Sequence, residues 1–162
     1  MSRRRPLHRS RFARLLTVVA FAAAALSFFL PFLAITEERH ARATGLELVT
    51  KDAHFSGRYV HGSYIGEVEL IVRRSRRPAI GALGLAILGF VAALVPGRRA
   101  EWTALALAVA GLLALGVLWR VTTMAFISAD HRYGFALSAA FFAAALGLVA
   151  ARLRSYYRQW AA

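Results

Sequence analysis

LLTVVAFAAAALSFFLPFLAI, residues 15–35, decides how the rest of the chain is read. It holds no charged residue over 21 positions. As a helix it would extend about 31 Å, close to the hydrocarbon thickness of a bilayer. Six arginines precede it, at positions 3, 4, 5, 9, 11 and 14, and no acid lies among residues 1–14. The pattern predicts a first membrane-spanning helix, with a basic arm (1–14) held in the cytoplasm. Pro31 is expected to kink or fray its last turn. The run is longer than a secretory signal core and no A-x-A site closes it, so it reads as a retained helix.

Three further apolar runs follow, at 79–95, 102–121 and 133–151. A soluble domain of 162 residues has no interior large enough to hide four such runs. The expected fold is an all-α membrane protein: four transmembrane helices, with a small β-containing extracytoplasmic loop between helices 1 and 2. The membrane domain is expected over 15–152, followed by a basic, aromatic cytoplasmic tail over 153–162. Trp102 and Trp119 stand 17 residues apart, about 26 Å along a helix, which suits one indole at each interface.

The loop, 36–78, is the one sizeable polar segment. GLELVT at 45–50 and EVELIV at 67–72 begin with alternation, so two or three short strands are expected there. Gly57, Gly62 and Gly66 punctuate the middle. Tyr59, His61 and Tyr64 are the candidate loop contacts if this segment reads a ligand. RRSRRP closes the loop at 73–78, and Pro78 suits the first turn of helix 2. Arg73, Arg74, Arg76 and Arg77 are candidate contacts for anionic phospholipid, because arginines at a helix end meet headgroup phosphates.

Charge sets the orientation only weakly. Net charge is +13, and 20 of the 21 basic residues are arginine. With both termini inside, eleven basic residues lie on the cytoplasmic side and ten outside. The acid-free arm decides: both termini cytoplasmic, loop 36–78 outside, in a bacterial inner membrane. Nucleic acid is not an expected partner, because the arginines gather at the ends of apolar runs.

Chemistry is sparse. The chain has no cysteine, which removes disulfides, thiol catalysis and Cys-based metal sites. Apart from Arg120 in the last turn of the third, no Asp, Glu, His, Lys or Arg falls inside the four expected spans, which argues against a proton-coupled pump. His40, His54, His61 and His131 show no H-x-x-x-H or H-E-x-x-H spacing, and no metal is expected. No nucleophile elbow, Walker motif or dinucleotide fingerprint occurs. Thr17, Ser27, Thr103 and Ser138 are expected to bond their own helix backbones. No catalytic residue and no cofactor is assigned.

Small residues mark expected packing faces: Ala82, Ala86, Gly89 and Ala93 on helix 2, Ala106, Ala110 and Ala114 on helix 3, and Ala139, Ala143, Gly147 and Ala151 on helix 4. They suit contacts within the chain, with a second copy, or with another membrane protein.

Leu30-Pro31-Phe32, then Thr44-Gly45-Leu46-Glu47-Leu48, then Tyr133-Gly134-Phe135-Ala136-Leu137 resemble a pattern in uncharacterised small bacterial four-helix membrane proteins. The resemblance implies four helices with the larger loop outside, and no activity. The plan also resembles that of claudins, but this loop lacks their Trp-rich motif and cysteine pair. The expected function is that of a non-enzymatic accessory subunit or scaffold. An extracytoplasmic sensor using loop 36–78 is the alternative, and a small transporter the third.

Overall fold

The protein, as a computed structural model, is described over residues 6–35, 42–50, 65–124 and 129–160. It is mostly helical, with four helices long and apolar enough to cross a membrane and one small sheet. The elements are α1 (Pro6–Leu26), a 3-10 turn (Ser27–Phe29), β1 (Pro31–Ile35), β2 (Arg42–Thr44), α2 (Gly45–Thr50), α3 (Ile65–Leu94), α4 (Arg98–Thr123), β3 (Ala129–His131) and α5 (Tyr133–Trp160). The long helices pack side by side. α3 lies against α1 and α4, and α5 lies against α1 and α4.

The first helix stops sooner than its composition suggests. Leu30, the residue before Pro31, is extended at φ −91° and ψ 159°. A residue preceding proline is driven from the helical region by the pyrrolidine ring, and proline itself has no N–H to donate. Pro31 therefore stops the 3-10 turn that follows α1, and the apolar residues from Pro31 onward become β1 instead of a last helical turn. The candidate span is Arg11–Phe29, not residues 15–35.

β1 is the central strand of a three-stranded antiparallel sheet, between β2 and β3. Leu33 pairs with both Ala43 and His131, and Ala34 with both Arg42 and Asp130. Phe32, Leu33 and Ala34 are all buried, so both faces of this strand are covered.

The loop 36–78 does hold one strand, β2, but neither stretch expected to form one does so. GLELVT forms α2, and Glu67–Val72 belongs to α3, which runs unbroken through RRSRRP and has Pro78 in its interior. Six residues of apparent alternation do not separate strand from helix. What separates them is the continued helical row Ile71, Ser75, Ala79, Ala82, Ala86 and Ala93, buried at every position. α5 likewise continues through the residues expected as a tail, with Leu153 buried.

The mid-height core joins two phenylalanines to two glycines. A Cβ at Gly89 of α3 would run into the Phe21 ring of α1, and a Cβ at Gly111 of α4 into the Phe142 ring of α5. The rings meet edge-to-face with centroids 6.1 Å apart. Each glycine lets a neighbouring helix seat a full aromatic side chain.

Candidate functional site

The two ends of the packed helices carry the polar chemistry. At one end, here called the turn end, α1 begins, α3 turns into α4 through Pro96 and Gly97, and α5 finishes. Gly97 takes φ 133°, a conformation that side chains disfavour, and so makes the tight reversal. Glu101 lies in the first turn of α4 with 6% of its surface exposed. Its Oε1 accepts from Arg152 Nη2 of α5. Arg14 of α1 donates Nε to the Ala93 carbonyl at 3.0 Å and Nη2 to the Leu94 carbonyl. An acid thus sits at a helix N-terminus and a guanidinium at a helix C-terminus, each matching the helix dipole. Arg14, Thr17, Glu101 and Arg152 line a small cavity there, in which Glu101 Oε2 and Arg152 Nε are buried without hydrogen-bond partners. Arg14, Glu101 and Arg152 each stand one position outside the expected spans, on helices α1, α4 and α5 that extend past the apolar runs.

The opposite, sheet end is closed differently. Thr44 and Glu47 form a reciprocal cap at the start of α2. Thr44 Oγ1 accepts from Glu47 N at 3.2 Å, and Glu47 Oε2 accepts from Thr44 N at 2.7 Å. A Cβ at Gly45 would lie 2.7 Å from Phe28 Cδ1, and one at Gly134 would lie 2.7 Å from the Pro31 carbonyl oxygen. Phe32 lies tilted against Phe28 with centroids 4.6 Å apart and meets Phe135 edge-on at 6.0 Å. Arg132 N donates to the Phe32 carbonyl at 2.8 Å. The motifs LPF, TGLEL and YGF, far apart in sequence, are therefore three parts of one junction.

His131 completes it. Its ring stacks on Trp119 with centroids 4.2 Å apart and 11° between planes. Its Nε2 lies 2.7 Å from Thr122 Oγ1. Thr122 has carbonyl acceptors of its own at Leu118 and Trp119, both at 2.9 Å, which suits an Nε2–H donating to the hydroxyl. Burial lowers the His131 pKa from its ordinary value of 6.5, and the nearby Asp130 carboxylate opposes that shift.

The expected site residues are distributed as follows. Tyr59, His61 and Tyr64 lie outside the described residues. Arg73, Arg74 and Arg77 are exposed, whereas Arg76 is partly buried and donates Nε to the Val49 carbonyl at 3.2 Å, at the C-terminal end of α2. Arg76 is thus turned toward the protein, unlike its three neighbours. Ala82, Ala86, Gly89 and Ala93 are buried. On α5 the inward row is Ser138, Phe142, Ala145, Val149 and Leu153. Ala139 is half-buried, and Ala143, Gly147 and Ala151 face outward, a correction to their expected role inside the chain. The physical reason is volume: Phe142 needs the inward position opposite Gly111, and that rotates the small row away. Ala106 of α4 is likewise exposed, and the inward row there is Ala104, Ala108, Gly111, Leu115 and Leu118.

Thr17, Ser27 and Thr103 bond carbonyls of their own segments, at Ala13, Ala24 and Arg99. Ser138 instead reaches across to the Ala24 carbonyl of α1 at 3.5 Å. Among the described residues no three His, Asp or Glu side chains converge as a metal site would require. Sequence reasoning missed Glu101, Arg152 and Arg14 as a cluster. It also missed the T-x-x-E cap, whose spacing was readable at 44–47.

No family model, curated protein or solved structure matches this chain.

Proposed function

We propose that this is a non-enzymatic integral membrane protein, a four-helix bundle in a bacterial inner membrane that serves as an accessory subunit or scaffold of a membrane assembly. The arginines support the membrane placement. Arg99 and Arg120 on α4 are separated by about 32 Å of helix, and Arg132, just before α5, and Arg154 within it by about 33 Å. Both separations suit charged groups at the two headgroup levels of one bilayer. Both termini then lie on the cytoplasmic side with the turn end, and the sheet lies outside.

The observation that carries the scaffold reading is the outward row of α5: Ala136, Ala140, Ala143, Gly147 and Ala150, all exposed. A Cβ at Gly147 meets nothing within 4 Å. In lipid a smooth row of small residues lets another helix approach closely, and packing is what drives such association. The test is crosslinking of the full chain in native membranes, with the double variant Ala143→Leu, Gly147→Leu beside the wild type. The expected result is a discrete crosslinked species that the variant loses while keeping its helical content and thermal transition. Recovery of the wild type only as an isolated monomer would end this reading.

A second reading, an extracytoplasmic binding module, draws on the sheet-end junction. The junction holds β2 and α2, which belong to the loop 36–78, against the helices, and functional loops are commonly carried on such rigid scaffolds. Deleting 52–66, which takes only the first two residues of α3, should then abolish a ligand response and leave the packed helices in place. An unchanged response would exclude this role.

A further inference from the structure

We propose that the outward face of the first turns of α3 binds the phosphates of anionic phospholipids through Arg73, Arg74 and Arg77. The proposal rests on the membrane reading above and adds a partner to it.

The argument begins with the direction of one helical row. Ile80, Gly84, Ile87 and Val91 follow each other at alternating steps of four and three along α3, and the three large ones are exposed, at 44%, 50% and 51%. This is an apolar face that lipid tails would cover favourably. Continued toward the N-terminus with the same spacing, the row reaches Arg77 and then Arg73, both exposed. The arginines therefore do not project from the side of α3 that meets the rest of the protein. They extend the same outward surface as the apolar row.

Height then selects the partner. Arg77 lies about 4.5 Å beyond Ile80 along the axis, and Arg73 and Arg74 about 9–10 Å beyond it. The headgroup layer adds roughly 5–7 Å to each side of a hydrocarbon core about 30 Å thick. Arg77 falls at the boundary of the core, with a stem long enough to snorkel, and Arg73 and Arg74 fall among the phosphates. Glu67 and Glu69 precede Arg73 along α3 and stand about 6–9 Å farther out, beyond the phosphate layer.

Arg76 supplies an internal contrast. It belongs to the same run, yet its Nε is engaged by the Val49 carbonyl of α2. The fold thus divides one arginine-rich segment into a structural residue and three outward ones. On neighbouring α4, exposed Arg120 stands at the same end of the packed helices. Guanidinium groups pair with phosphate oxygens through two parallel hydrogen bonds, which favours phosphate over a diffuse counterion cloud.

The test uses the full chain reconstituted into phosphatidylcholine vesicles carrying a trace of spin-labelled phosphatidylglycerol or spin-labelled phosphatidylcholine. The motionally restricted fraction of each label gives the preference for the anionic lipid at the protein surface. The wild type should retain phosphatidylglycerol in preference to phosphatidylcholine. The variant Arg73→Gln, Arg74→Gln, Arg77→Gln should bring the restricted fractions of the two labels close to equal, because the charges that attract the anionic headgroup are gone. Arg76→Gln should leave the preference unchanged and lower the thermal transition instead. Equal preference in the triple variant and the wild type would overturn the proposal. So would binding of a single-stranded RNA probe that the triple variant loses, with no lipid preference in the wild type. Failure of the wild type to insert into the vesicles would overturn the membrane reading and this inference with it.

Discussion

The two ends of the packed helices are closed by different physics. At the turn end, charge does the work: Glu101 with Arg152, and Arg14 on the last carbonyls of α3. At the sheet end, shape does it: two glycines admit aromatic rings and a backbone oxygen, and a histidine lies flat on a tryptophan. The contrast follows from the connections. A tight turn joins α3 to α4, so unsatisfied helix termini come together there and guanidinium and carboxylate groups answer them. At the other end longer connections join the helices, and three segments must be fitted against one another.

The largest effect is expected where a charge would be left buried alone. Arg152→Ala strands Glu101 and should cost about 3–5 kcal/mol in thermal unfolding in detergent, with much of it regained by adding Glu101→Gln. A silent Arg152→Ala would break the distinction between the ends. Next comes overpacking at the sheet end. Gly134→Val drives a side chain against the Pro31 carbonyl oxygen and should cost roughly 1–3 kcal/mol. Gly147→Val, where the space is open, should leave the transition in place. Thr44→Ala removes half of the α2 cap and should cost about 1 kcal/mol, read as faster hydrogen exchange in α2 with the turn end undisturbed.

The smallest effect is a pH dependence confined to the sheet end. The fold favours neutral His131, so its folded pKa lies below 6.5. The unfolded chain then takes up the proton first as pH falls. The stabilisation is complete above 6.5, declines as pH drops from there through the folded value, and then levels off. Trp119 fluorescence should track this step, because a protonated imidazole stacked on an indole quenches it. His131→Gln should flatten the titration, and a step that survives the substitution would assign the dependence to another group.

The apolar runs announced four long helices plainly, because length and hydrophobicity are summed over about twenty residues and tolerate local error. The boundaries were less legible. Pro31 was seen as a kink, yet its steric effect on Leu30 closes the 3-10 turn after α1 and sends the chain into β1. RRSRRP read as the close of a loop, yet the inward row from Ile71 to Ala93 carries α3 through it. The small row on α5 was visible, but its direction was not, because periodicity locates a face without saying what the face meets.

Residue order by itself determined that four helices are long and apolar enough to cross a membrane, that a polar segment lies between the first two, and that cysteine chemistry is absent. Those properties are local or additive. Tertiary structure alone decided that LPF, TGLEL and YGF form one junction, that Arg76 turns inward while Arg73, Arg74 and Arg77 turn outward, and that Glu101 pairs with Arg152. Each of these joins positions separated by a turn, a loop or most of the chain. The rotation of each helix about its own axis fixes them, and that rotation is set by how Phe21 and Phe142 seat on Gly89 and Gly111.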